Sequence, residues 1–230
     1  MAAPTRYPGG VTNVRKTSPT GMLPIPDPVS VHQFHTDFDA YTAAQWTVTL
    51  VGTGAAALTN GDGGILAVAT TGANNDATSL QKVGEGFSFE IGKATWFKAR
   101  FSVSALTSVV VLGLQVTDTT PEDVTDGIYF LSTTATGAVT AYVRQNATTG
   151  STSVAAGTLV AGTYTELAFY WDGKDTVTFY QDGVVTGSIG SITASNYLPD
   201  TTTTPSFAIR TTTAAVKTMN VDYIQAIKAR

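Results

Sequence analysis

The sequence predicts an all-β protein made of two packed antiparallel sheets behind an extended N-terminal arm, and three observations carry that expectation. Val, Ile, Thr, Tyr, Phe and Trp recur with a period close to two along most of residues 32 to 230, the spacing at which successive strand side chains fall on opposite faces. Turn residues break this pattern at Asn60-Gly61-Asp62-Gly63-Gly64, Asp126-Gly127, Asp172-Gly173 and Asp182-Gly183, supplying the positive φ that tight hairpins need. Six of the nine prolines fall in residues 1 to 31. Proline fixes φ, removes a backbone donor and biases the preceding residue toward extended geometry, so this stretch makes neither a helix nor a central strand.

At 230 residues the chain fits one large β domain. The organisation expected is an extended Pro-rich arm over 1–31 and a β-sandwich over 32–230. Strands are expected at 32–38, 45–51, 64–70, 77–82, 95–104, 108–117, 127–132, 138–145, 163–171, 175–181, 184–188, 206–212 and 218–228, and no segment reads as a long helix. Residues 95 to 103 alternate well: Trp96, Lys98, Arg100 and Ser102 share one face, while Phe97, Ala99, Phe101 and Val103 form the better core face. Residues 108 to 116 (SVVVLGLQV) are apolar on both sides, as in a central strand covered on both faces or a strand at an interface. The stretch 170 to 189 (YWDGKDTVTFYQDGVVTGSI) encodes three short strands joined by two Asp-Gly turns, with Trp171, Phe179 and Val185 available to the core. About a dozen strands without helices make a jelly-roll-like sandwich the economical architecture.

Composition removes several function classes. Only 13% of residues are charged, with net charge −4, so the body has no electrostatic reason to bind nucleic acid or an anionic membrane. The absence of cysteine excludes disulfides, thiolate nucleophiles and Cys-ligated metals. No basic-then-apolar signal pattern and no membrane-length apolar run is present, so synthesis in a cytoplasm is expected.

Chemistry must come from two histidines and seventeen acids. His35, Asp37 and Asp39 stand at i, i+2, i+4 and would share one strand face. Three such groups can hold a divalent cation, or they form the solvent face of a strand whose inner face is Phe34 and Phe38, the reading favoured here; no cofactor is expected. Glu85, Glu90, Glu122 and Glu166 have no E-x-D-x-x-E partners, whereas a glycosidase needs two carboxylates flanking the scissile bond. No nucleophile elbow or phosphate loop appears either. On these grounds the chain is expected not to be an enzyme. The rival reading is lectin-like: Asn74, Asn75, Asp76, Asp118, Asp123 and Asp126, with aromatics such as Tyr129 or Tyr197, would hold Ca²⁺ and a sugar, or simply make turns.

From Thr95 onward, the hairpin at Phe169 to Gly173, the Y-x-D-G at Tyr180 to Gly183 and the terminal strand with Val221, Tyr223, Ile224 and Ile227 resemble concanavalin A-like (laminin-G/lectin-type) jelly-roll sandwiches. A second resemblance spans residues 5 to 103. It rests on T-R-Y-P-G-G-V-T-N-V (Thr5 to Val14), VHQFHTDFDAY (Val31 to Tyr41), Q-W-T-V-T-L-V-G-T-G (Gln45 to Gly54), N-G-D-G-G-I-L (Asn60 to Leu66) and S-L-Q-K-V (Ser79 to Val83). These look like capsid decoration (cement) proteins of tailed bacteriophages. That resemblance implies a virion protein on the outer surface of an icosahedral head, binding the major capsid protein and other copies of itself as a dimer or trimer at a symmetry axis. A host-surface glycan is compatible with such a place. The arm residues expected to dock are Arg6, Tyr7, Pro8, Val11, Val14, Met22, Leu23 and Ile25. The candidate self-association strand is the doubly apolar one, through Val109, Val111, Leu112 and Leu114.

Overall fold

The computed structural model describes residues 29–133, 135–146 and 150–230. The arm residues Arg6, Tyr7, Pro8, Val11, Val14, Met22, Leu23 and Ile25 lie outside the described residues.

The described residues form strands β1 (Val31–Thr36), β2 (Trp46–Val51), β3 (Ala55–Thr59), β4 (Ile65–Ala69), β5 (Ala77–Lys82), β6 (Thr95–Val103), β7 (Ser108–Gln115) and β8 (Gly127–Ser132). These are followed by β9 (Ala138–Gln145), β10 (Gly150–Thr158), β11 (Thr165–Trp171), β12 (Val177–Gln181), β13 (Val184–Ile189), β14 (Thr204–Thr211) and β15 (Thr218–Ala229). Two short 3₁₀ turns, Ala43–Gln45 and Pro121–Asp123, are the helical elements among them. One sheet runs β13-β12-β11-β6-β15-β4-β3, with β1 also paired to β15; the other runs β10-β9-β8-β7-β14-β5-β2. Every strand pair is antiparallel. The expected two-sheet jelly-roll sandwich is the architecture found.

The inner faces close on an aromatic core. Phe97, Phe101, Phe130, Phe169, Phe179, Phe207 and Trp171 are each at most 1% exposed. Phe169 sits centrally, stacked on Phe97 at 5.4 Å between ring centroids and in ring contact with Phe89, Phe130 and Phe179. The alternation read in residues 95 to 103 is the one observed, with Phe97, Ala99, Phe101 and Val103 buried. The strand β1 ends at Thr36, and Phe38 turns back into the core at φ 56°.

The doubly apolar strand β7 is covered on both sides. Val110, Leu112 and Leu114 enter the main core, whereas Val109 and Val111 join Val124, Tyr129 and Ala208 in a second cluster on the other face of the sheet. The 116–126 loop contributes Val124 to that cluster, and the loop is pinned by Arg210 to Glu122 at 2.6 and 2.7 Å and by Arg144 to Asp123 at 2.6 Å. Val109, Val111, Leu112 and Leu114 are therefore at most 2% exposed. This corrects their assignment to self-association: their apolar partners come from the same chain.

Two strands escape the periodicity. Ala-rich β3 and Gly/Ser/Ala-rich β10 have no aromatic and few β-branched residues of the kind that mark strands, and both are edge strands held by a single neighbour. Val185 was expected inward but is 58% exposed. A bulge at Phe179/Tyr180 shifts the register and sets Val185 beside Tyr180.

Candidate functional site

The face of the β1-containing sheet that points away from the core carries the chemistry. On β6, core residues alternate with Trp96, Lys98 and Arg100; on β11, Glu166, Ala168 and Tyr170 point the same way. Antiparallel register then builds rows across the strands. Tyr170 lies opposite Trp96, which lies opposite Ile227; Tyr180, Ala168, Lys98 and Gln225 form the next row; Glu166, Arg100 and Tyr223 form the third.

Small Ala168 sits between larger neighbours, leaving a groove of about 390 Å³ lined by Trp96, Lys98, Glu166, Ala168, Tyr180, Gln225 and Ile227 among others. One end is an aromatic platform: Trp96 is 49% exposed and stacks on Tyr170 at 3.8 Å with an interplanar angle of 24°. Aromatic pairs of this kind hold each other rigid while leaving an apolar ring face in water.

The other end is ionic. Tyr223 donates its phenol hydrogen to Glu166 Oε2, and Lys98 Nζ lies 3.4 Å from the same oxygen. Burial first, and the Glu166 hydrogen bond second, push the Tyr223 phenol above its ordinary range, so it remains a proton donor. Among the described residues no hydrogen bond reaches Glu166 Oε1. A carboxylate fixed by one oxygen and open at the other is suited to accept a hydroxyl proton. Arg100 pairs with Asp222 and lies over the Tyr164 ring at 4.6 Å; its hydrogen bond to Asp222 raises its already high pKa. Asp222 reaches this position because β15 bulges between Val221 and Tyr223. Both cations of the face thus have their own carboxylates.

The sequence-level candidates fall elsewhere. His35 is exposed on β1, next to Gln225, but the strand ends one residue later and Phe38 takes a left-handed φ. The shared face assumed for His35, Asp37 and Asp39 depends on extended geometry that stops at Thr36, and no group of three acidic or histidine side chains among the described residues could hold a metal ion.

The loop residues offered for Ca²⁺ and sugar are engaged in turns and ties. Asp76 accepts from Ala73 N and Thr71 Oγ1, Asp118 from Thr120 N, Asp126 from Asn146 N and Asp123 from Arg144, while Asn75 accepts from Arg210. Tyr129 belongs to β8, is fully buried, and has its phenol pushed up to about 12 by burial. Trp96 stood on the polar face of a correctly read strand, and a large aromatic ring between Lys and Arg positions was the signal for it. Glu166, Asp222 and Tyr223 converge only through pairing of strands distant in sequence.

The chain matches no protein-family model and no curated protein. Solved structures share its fold. An endo-1,3-β-glucanase from Streptomyces sioyaensis aligns at TM-score 0.65 and 13% identity, over 90% of this chain and 99% of that one. A protein of unknown function from Shewanella oneidensis MR-1 aligns at 0.58 and 21%, over 95% and 96%. The carbohydrate recognition domain of Emp46p in its potassium-bound form aligns at 0.57 and 12%, over 83% and 94%. The resemblance of residues 5 to 103 to decoration proteins has no counterpart among these structures. A Bacillus licheniformis β-glucanase, a glycosidic hydrolase and a fungal glucuronan lyase also share the fold. They overturn the expectation that the chain is not an enzyme. That exclusion rested on motifs missing along the chain, the E-x-D-x-x-E spacing, the nucleophile elbow and the phosphate loop, whereas Glu166 and Asp222 share a face from different strands. At these identities the likeness establishes the concanavalin A-like jelly-roll sandwich.

Proposed function

We propose that the groove beside the Trp96–Tyr170 platform binds a carbohydrate chain. The observation that carries this reading is the stacked Trp96–Tyr170 pair, with Trp96 half exposed, at one end of a groove whose other end holds a carboxylate with one oxygen unbonded among the described residues. A pyranose offers an apolar C–H face and rim hydroxyls, which this pairing of surfaces matches. Because Lys98 and Arg100 are neutralised by Glu166 and Asp222, the site favours a neutral sugar over a uronate. The neighbouring structures, two of which are named as glucanases and one as a carbohydrate recognition domain, support the ligand class.

Calorimetric titration with soluble β-1,3-glucan, a second β-glucan and β-1,4-glucuronan tests this. The neutral glucans should bind more tightly. Trp96→Ala should weaken binding on the order of tenfold or more, as loss of a central aromatic anchor does, and Ala168→Trp should block the groove without removing a contact. New chain ends released from a bound glucan and lost in Glu166→Gln would assign cleavage to this groove; binding alone would assign recognition. Indifference of the protein to all three polymers would refute the proposal.

A second reading concerns the arm, and the proline-rich leader favours it. Residues Arg6, Tyr7, Pro8, Val11, Val14, Met22, Leu23 and Ile25 strap the chain onto a phage head across its major capsid protein. A proline-stiffened segment loses less entropy on docking. Full-length chain should co-sediment with heads, and a triple charge reversal at Arg6, Arg15 and Lys16 should release it; failure of the unaltered chain to co-sediment sinks this reading.

A further inference from the structure

At one side of the sandwich the seam between the sheets stands open. Val48 and Leu50 of β2 lie opposite Leu80 and Thr78, both fully buried, and Leu58 of β3 lies opposite buried Leu66. Directly opposed residues share a sheet face, so Val48, Leu50 and Leu58 point toward the interior. They are nevertheless 38%, 44% and 46% exposed. Among the described residues β2 and β3 are terminal strands, each with one neighbour, so each presents an unpaired backbone edge.

Natural edges are protected by charges, prolines or bulges. This one has none: from Ala40 to Gly61 the sequence holds no charged residue and no proline, and β2 pairs with β5 in unbroken register.

We propose that the β2 edge pairs with β2 of a second copy of this chain. The two strands run antiparallel about a twofold axis, and the seven-stranded sheet continues from one protomer into its partner. Charge complementarity selects this occupant. In a twofold pair the same patch meets itself, so any charge on β2 would face its like at close range, whereas Thr47, Val48, Thr49, Leu50 and Val51 offer only hydroxyl and aliphatic cross-strand pairs, which stabilise. Leu50 and Val48 gain cover from the partner's strand. The arm is a poorer occupant of the same edge: its prolines have no N–H to give a ladder, and the proline-free run between Pro8 and Pro19 would bring Gly9, Gly10, Arg15 and Lys16 to a strand that carries no charge. The groove on the other sheet stays open in this dimer, so the inference stands apart from the carbohydrate reading.

Sedimentation of the full chain across a wide micromolar range tests it. The unaltered chain should show the mass of two protomers. Leu50→Lys should weaken association on the order of 100-fold or more, since like charges facing each other in an interface are strongly unfavourable, while leaving the circular dichroism unchanged. Val51→Lys, on the solvent face of the same strand, gives the same readout if Leu50→Lys does not fold. Val185→Lys, on an exposed strand at the opposite side, should remain dimeric. A single-chain mass throughout overturns the proposal, as does a dimer indifferent to both β2 lysines. A monomer whose β2 amides resist hydrogen exchange would show that the chain's own leader takes the edge, and this also overturns it.

Discussion

The two sides of the sandwich solve the same problem differently. At the β10/β13 side the terminal strands of the two sheets meet each other. Gln181 at the end of β12 exchanges two hydrogen bonds of 2.9 Å with the Thr158 backbone of β10. Gly187 of β13 lies so near Ala155 that an added side-chain carbon would sit 2.9 Å from the Ala155 carbonyl oxygen. The seam is sealed within the chain. At the β2/β3 side the Gly52-Thr53-Gly54 link carries the chain from one sheet to the other, and Val48, Leu50 and Leu58 remain substantially exposed beside it. The difference shows that, among the described residues, one side of the sandwich is closed by strand-to-strand contacts and the other keeps an unpaired edge.

Chemical denaturation grades that difference. Phe169→Ala removes a fully buried ring at the aromatic centre and should cost about 3 to 5 kcal/mol. Gln181→Ala unclasps β10 from β12 and should cost about 1 kcal/mol, with faster hydrogen exchange confined to β10. Leu50→Ala, measured on dilute protein, should cost less than about 1 kcal/mol, because a half-exposed side chain has less area to lose. If Leu50→Ala matched Phe169→Ala, the open side would be as tightly packed as the centre and the comparison would fail.

Acid gives the smallest effect, since the group concerned lies at the surface, where solvent screens its ion pairs. Hydrogen bonds from Lys228, Lys93 and Ser88 hold the Glu90 carboxyl down at about 2, against an ordinary value of 4.5. A carboxyl lowered on folding contributes stability that is fully present above 4.5 and is lost as pH falls toward 2. Over that window the 86–93 segment should loosen from Lys228 on β15, while β2 exchange stays constant. Glu90→Gln should flatten this part of the acid profile, and an unchanged profile would remove Glu90 as its cause.

Much of the fold was legible because burial leaves a period of two. The alternation at Phe97 to Val103 and the two Asp-Gly hairpins of β11 to β13 were read correctly on that ground. Ala55–Thr59 and Gly150–Thr158 were not, since neighbours impose their strand state against weak local preference. The doubly apolar β7 left two readings open, and a loop clamped by Arg210 and Arg144 decided between them. The groove was half legible. Trp96 on a polar face was visible, but Glu166, Lys98 and Tyr223 come together through strand pairing, and Asp222 through a bulge that no local pattern announces.

By itself the sequence determined that the chain is all-β, uncharged from Ala40 to Gly61, without cysteine chemistry and led by a proline-rich segment, because each follows from local residue preferences or simple counting. The tertiary structure alone decided which face carries a carboxylate beside exposed rings, which apolar strand is hidden and which seam stays open. Those outcomes depend on register between strands far apart in the chain, and a one-residue slip in register sends every side chain to the opposite face.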